Sequence, residues 1–228
     1  MTMSVRIITL DGPSGAGKGT AGIGLAKKLN YHYLDSGALY RLLALAAQRH
    51  KVDLDNQSAV TTLAAHFDID FKNTGIGSMQ VLLEGEDVTR EIRMEHVASA
   101  ASRVAMHASV RSALVDRQRL FAKSPGLVAD GRDMGTVIFP DAELKIYLTA
   151  SAEVRASRRH KQLLEKGGNV SLHAVRIQVD ERDERDRSRK SSPLRPAASA
   201  IQIDTSAMSA EEVLNKLLEI AVIRGLFH

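Results

Sequence analysis

Gly12-Pro13-Ser14-Gly15-Ala16-Gly17-Lys18-Gly19-Thr20 follows directly on Val5-Arg6-Ile7-Ile8-Thr9-Leu10-Asp11, and this junction decides the fold. The upstream run is short, apolar and β-branched, as a buried strand is, and Asp11-Gly12-Pro13 ends it in a turn. Downstream, Ile23, Leu25, Ala26 and Leu29 fall near helical spacing and predict a helix over 18–29. Gly22 and Gly24 weaken that helix, each by about 1 kcal/mol relative to Ala. In the order strand, glycine loop, helix, the pattern Gly-x-x-x-x-Gly-Lys is a phosphate-binding loop. Its glycines let backbone N–H groups converge on phosphate oxygens, Lys18 adds a point charge, and the helix N-terminus adds a partial one. The alternative, a glycine-rich turn that binds nothing, loses because sequence, spacing and flanking elements agree. The position after the lysine, commonly a Ser or Thr that ligates Mg²⁺, is Gly19, with Thr20 one place later. The loop therefore offers no direct metal ligand at that position.

Working outward, Tyr31-His32-Tyr33-Leu34 before Asp35, Leu127-Val128-Ala129 before Asp130, Leu144 to Leu148, and Ala200 to Ile203 before Asp204 read as further short strands. Helical stretches separate them. The expectation is an α/β fold, a five-stranded parallel sheet flanked by helices. The segment from Phe67 to Thr89 breaks the pattern. Phe67-Asp68-Ile69-Asp70-Phe71 alternates with period two, Asn73 to Ser78 is turn-rich, and Met79 to Leu83 resumes. This predicts an antiparallel hairpin, with a third strand near Asp87-Val88-Thr89, in an inserted module.

Composition narrows the functions. The 228 residues include no cysteine, which excludes disulfides, thiolate zinc sites and a cysteine nucleophile. The apolar stretch before Asp11 is too short for a secretion signal, and no run approaches a membrane span, so a cytoplasmic location is expected. The net charge of +4 is only mildly basic, and aromatic residues are 4%, too few for stacking platforms along a single nucleic-acid strand. The eight His residues show no metal-ligand spacing.

Candidate side chains gather at predicted strand ends, where open α/β sheets bind ligands. Asp130 stands where a carboxylate can hold Mg²⁺ or its waters, or merely close a turn. Asp130-Gly131-Arg132-Asp133-Met134-Gly135 adds an arginine whose planar fork suits a phosphate; a loop ion pair is the plainer alternative. In Asp35-Ser36-Gly37-Ala38-Leu39-Tyr40-Arg41, Ser36 reads as a helix cap and Arg41 lies about a turn inside. Glu181-Arg182-Asp183-Glu184-Arg185-Asp186-Arg187-Ser188-Arg189-Lys190 is the densest charged run. It reads either as a solvated helix with pairs Glu181–Arg185, Arg182–Asp186 and Asp183–Arg187, or as a lid whose arginines close over a transferring phosphoryl group. Arg158-Arg159-His160-Lys161 touches a nucleotide base or simply lines a helix.

Together these stretches resemble the bacterial cytidylate kinases, nucleoside monophosphate kinases whose loop takes the form Gly-Lys-Gly-Thr. The resemblance rests on residues 10–20, 34–41, 129–137 and 181–189 and runs in family order along almost the whole chain. It implies a P-loop core of 1–35, 110–155 and 190–228, a CMP-binding module of 36–109, and a helical lid of 156–189. It implies ATP bound by residues 12–20, with Lys18, Asp130, Arg132 and Arg182 catalytic. Ser36, Arg41 and Arg132 would hold the acceptor phosphate, Ser102, Arg111 and Asp133 the cytosine, and Arg182 and Asp186 the ribose. Arg189 would meet phosphates or base, while Glu184 and Ser188 receive no role. Mg²⁺ would arrive with ATP, and the substrates would be ATP, CMP and dCMP. The family leans towards a monomer without nucleic-acid or membrane partners.

Residues alone define a phosphate acceptor and not its base, so a kinase for UMP, AMP or a non-nucleotide stays open. A GTP-dependent switch would need an Asn-Lys-x-Asp element. Asn215-Lys216-Leu217-Leu218 lacks the Asp and lies on an amphipathic helix. A nucleic-acid module would rest on the basic residues of 182–190 alone, whose acidic neighbours repel a phosphate backbone.

Overall fold

The computed structural model describes residues 5–75, 78–165 and 167–226. Residues 1–4 of the stretch before Asp11, and positions 76 and 77 within the predicted turn, lie outside the described residues. The chain divides into two compact units. The first runs to Leu34 and resumes at Phe121; the second is Asp35–Leu120.

The first unit is built on β1 (Arg6–Asp11), β2 (His32–Asp35), β6 (Gly126–Gly131), β7 (Leu144–Thr149) and β8 (Ile201–Asp204). They form a parallel sheet in the order β2-β6-β1-β7-β8. β1 occupies the centre because its last four residues are buried, as is all of β6 beside it. The parallel register sets Leu10 against Asp130 and Asp11 against Gly131 on one side, and Asp11 against Tyr147 on the other. One ligand edge thus carries the glycine loop and the Asp130–Asp133 loop side by side.

Helix α1 spans Lys18–Leu29, the predicted range. It packs against α8 (Ala210–Ile223), whose start is fixed by a capping box of Ser209 and Glu212. Gly22 and Gly24 are contacts as much as weak helix formers. A Cβ on Gly22 would lie 2.9 Å from the Tyr33 ring and 3.0 Å from Leu10, and one on Gly24 would lie 2.9 Å from a methyl of Leu214. Between β7 and β8 run α6 (Ala152–Glu165) and α7 (Leu172–Ser188), joined by a small apolar cluster of Ala156, Val175 and Val179.

The second unit holds its own core. Helices α2 (Ser36–Arg49), α3 (Gln57–His66), α4 (Glu95–Val104) and α5 (Ala108–Arg119) surround Leu42, Leu43, Val60, Val97, Val104 and Leu114. The predicted hairpin forms as β3 (Ile69–Gly75) and β4 (Ser78–Leu83), paired antiparallel. The third strand, β5, is Glu86–Asp87, slightly before the expected 87–89, because Thr89 turns back to donate to Asp87. The unit extends past position 109 because α5 packs on α3, with Ser109 meeting Gln57 and Thr61, and Val110 and Leu114 fully buried.

Candidate active site

In the first unit the glycine loop is a backbone shape that few other sequences tolerate. A Cβ on Gly12 would sit 1.9 Å from the Leu148 carbonyl oxygen, at a φ of 144°. Gly17 takes the left-handed conformation at the N-cap of α1, which leaves the following N–H groups aimed into the loop. Lys18 is 6% exposed; its amine donates to the Pro13 carbonyl at 2.9 Å and lies 3.9 Å from Asp130. Burial, and then the neighbouring Arg132, lower its pKa from 10.5 to about 8. A phosphate arriving there would restore the favourable partner that burial takes away.

Asp130 also accepts from the Tyr33 hydroxyl at 3.1 Å, so its carboxylate is held on both sides. A Cβ at Gly19 would stand 3.6 Å from the same carboxylate oxygen, which keeps the start of α1 close to Asp130. Among the described residues no group of three or more His, Cys, Asp or Glu side chains gathers as a metal cage.

Arg132 leaves the end of β6 and donates from Nε to Asp186 at 2.8 Å. Burial works against its charge, but Asp186 and then Asp130 and Asp183 keep its pKa above the ordinary value. Asp186 itself is pulled below the ordinary carboxylate range: burial opposes this, and Arg132, Arg182 and Arg189 overcome it. Arg189 Nη1 is 3.8 Å from Asp186. Thus Lys18, Arg132, Arg182 and Arg189 share one electrostatic neighbourhood with Asp130 and Asp186. Such a cluster matches a polyanion whose charge shifts during reaction.

The charged run proves to be more than a solvated helix. Glu181–Arg185 and Asp183–Arg187 pair on α7 at 3.7 and 3.3 Å, but Asp183 and Asp186 are buried. They continue the buried stripe of Val175 and Val179, so the face that is apolar near the helix start carries carboxylates near its end.

Ser36, Arg41, Ser102 and Arg111 all lie in the second unit. Here the cap assignment changes: Asp35, not Ser36, caps α2, because its backbone is extended and its Oδ1 accepts from Ala38 N. Ser36 is the first helical residue and is buried. The other Asp35 oxygen holds Arg41 at 2.5 Å. Arg111, 5% exposed, stacks over the Tyr40 ring at 5.4 Å, and Ser102 is buried on α4.

Several contacts around the glycine loop are not readable from the sequence. Asp11, buried at the end of β1, accepts from Met134 N and Gly135 N at 2.8 Å each and so ties the glycine loop to the loop bearing Arg132 and Asp133. Burial raises its pKa to about 6. Arg158 does more than line its helix: it donates to the Thr205 and Met208 carbonyls at 2.6 and 3.1 Å. Thr205 Oγ1 in turn lies 3.1 Å from the Ala16 carbonyl of the glycine loop. Asp11 adjoins the motif and was the one detectable from it; Tyr33, Arg155, Arg158 and Thr205 find their partners across long stretches of chain.

A glycine loop at the carboxyl end of a central parallel strand, a buried lysine in it and arginines converging beside it define a P-loop phosphotransferase of the nucleotide kinase type. The family model described as cytidylate kinase matches residues 8–222, and the chain belongs to the cytidylate kinase family. The cytidylate kinase of Pseudomonas savastanoi pv. phaseolicola is 56% identical over 227 residues, covering 99% of each chain. Those of Escherichia coli O1:K1 / APEC and Klebsiella pneumoniae (strain 342) are 53% and 52% identical over 221 residues, 97% of each chain.

Proposed function

We propose that the chain transfers the γ-phosphoryl group of ATP to CMP or dCMP, giving ADP and CDP or dCDP. The observation that carries this reading is the gathering of Lys18, Arg132, Arg182 and Arg189 about Asp130 and Asp186, beside a glycine loop. An acceptor phosphate is already ionised, so the reaction needs no general base and no covalent intermediate; in-line positioning and charge neutralisation suffice. Residues 12–20 hold the triphosphate, Lys18 and Arg182 neutralise the transferring group, and Arg132 orients the acceptor phosphate. Ser36 and Arg41 help hold that phosphate, Ser102, Arg111 and Asp133 recognise cytosine, Arg182 and Asp186 the ribose, and Arg189 phosphate or base.

Asp130 fits a magnesium ion carried on the polyphosphate: it is a single carboxylate, fixed by Tyr33, beside the phosphate-binding lysine. Bound there, Mg²⁺ would neutralise charge on the triphosphate, with Asp130 holding the ion or its waters. The enzyme acts as a monomer on free nucleotides in the cytoplasm, with no nucleic-acid partner. No described helix is long and apolar enough to cross a membrane.

The test is ADP formation from ATP and Mg²⁺ with CMP, dCMP, UMP, AMP and GMP offered separately, with Lys18→Ala as the blank. Preference for CMP and dCMP is expected, and Arg132→Ala should raise the KM for CMP. Preference for another base would overturn the acceptor assignment; turnover by Lys18→Ala equal to wild type would overturn the mechanism.

A further inference from the structure

Arg155 belongs to none of the phosphate-binding motifs, yet it is 3% exposed and spends its donors on three separate segments. Nε donates to the Ala150 carbonyl at 2.9 Å, ahead of α6. Nη1 donates to the Ser14 carbonyl of the glycine loop at 3.2 Å and to Asp183 Oδ1 at 3.0 Å, while Nη2 donates to Asp183 Oδ2 at 2.5 Å. The loop also presses on it directly: a Cβ on Gly15 would stand 3.0 Å from Arg155 Cβ and 3.1 Å from its carbonyl oxygen. One rigid, planar guanidinium therefore bridges the backbone of the loop that would cradle the triphosphate and a buried carboxylate on α7.

Asp183 is 2% exposed, and its neighbours on α7 are the residues of the reaction. Arg182 precedes it, and Asp186, less than a turn later, fixes Arg132. A buried carboxylate cannot part from its cation without heavy desolvation cost, so displacement of the Ser14 carbonyl that moves Arg155 must carry Asp183 with it. The conformation of that carbonyl is what a bound polyphosphate settles, because the phosphate oxygens take their hydrogen bonds from the same loop's N–H groups. We infer that Arg155, acting through Asp183, is a positioning residue that couples occupancy of the glycine loop by the donor nucleotide to the placement of Arg182 and Asp186. A bound triphosphate then tightens binding of the acceptor. This rests on the proposed ATP and CMP reading.

Calorimetric titration of CMP, with and without the β,γ-imido analogue of ATP, reads the coupling directly. The wild-type protein should bind CMP about 10-fold more tightly with the analogue present, and by reciprocity the analogue about 10-fold more tightly with CMP. In Arg155→Lys, whose compact ammonium lacks the planar fork that grips Asp183 through Nη1 and Nη2 while Nε reaches Ala150, the ratio should fall below about 2-fold, with CMP affinity in the absence of the analogue within about 3-fold of wild type. Asp183→Asn, which keeps the contacts of Arg155 to Ser14 and Ala150 but weakens the pair, should lose the ratio too and serves if Arg155→Lys fails to fold. A wild-type protein with no enhancement would overturn the inference, as would a folded variant that keeps the wild-type ratio and merely melts earlier. Failure to phosphorylate CMP would appear in the substrate assay on the wild-type enzyme; unchanged turnover with no enhancement would remove the coupling alone.

Discussion

Lys18 shows at the scale of one residue how function and stability oppose each other. Its folded pKa, about 8, is below that of the free side chain, so its contribution to stability is fully present only above the unfolded value of 10.5 and is lost as pH falls through about 8. At neutral pH the protein thus holds a charged amine at a cost. Lys18→Met should raise the urea midpoint at about pH 7 while lowering kcat by about 100-fold or more. In the wild type, kcat/KM for ATP should decline above about pH 8 as the free enzyme loses that proton; a flat profile to about pH 9.5 would refute the assignment of charge to Lys18. Asp11 is the opposite case, with a folded pKa raised to about 6 from 3.8. Its contribution is complete below the lower value and is lost as pH rises through the upper one. Asp11→Asn puts an NH₂ against one of two backbone donors and should destabilise by about 1–3 kcal/mol, with a larger deficit in urea melts near pH 4.5 than near pH 7.5. Lys18 was legible because its motif is local. The protonation energetics of Asp11 were not, since they depend first on its burial in the sheet, which raises the pKa, and then on the Gly135 and Met134 N–H groups that the fold brings beside it, which lower it.

Among the elements, α1 separates what helix propensity says from what packing says. Gly22→Ala and Gly24→Ala each gain about 1 kcal/mol of propensity. At Gly22 the new methyl meets the Tyr33 ring and Leu10 inside the core, where overpacking costs about 1–3 kcal/mol, and the net effect should be destabilising. At Gly24 it meets only the end of the Leu214 side chain, which can turn aside, so thermal melting should be unchanged or raised. Equal melting shifts for the two variants would contradict the packing argument. Helix α7 teaches the same lesson with charge. Its alternation of acids and bases reads as solvent-facing pairs, and some form, but Asp183 and Asp186 were claimed by Arg155 and Arg132 from elsewhere in the chain. Periodicity locates a helix face; it does not say which distant residue will meet it.

For the whole molecule, the two units have separate cores with no residue in common. Leu43→Ala, in the fully buried core of the second unit, should cost about 2–5 kcal/mol there. Hydrogen exchange should quicken in α2, α4 and α5 while β1, β6 and β7 keep their protection; uniform loss across both units would show a single cooperative core instead. The sequence by itself determined the strand–loop–helix junction, all five strands of the parallel sheet and the hairpin of the insertion, because each follows from local periodicity and turn chemistry. It also marked Lys18, Asp130, Arg132 and Asp186 as residues of interest. Only the tertiary structure decided that Asp35 and not Ser36 caps α2, that the second unit runs on through α5, and that Arg155 and Asp11 brace the glycine loop. The Asp35 cap is a local contest over the Ala38 N–H, and the packing of α5 on α3 joins residues about 50 positions apart; the bracing by Asp11 and Arg155 depends on buried donors and acceptors that meet across 123 to 141 residues, where burial leaves such groups no water to fall back on.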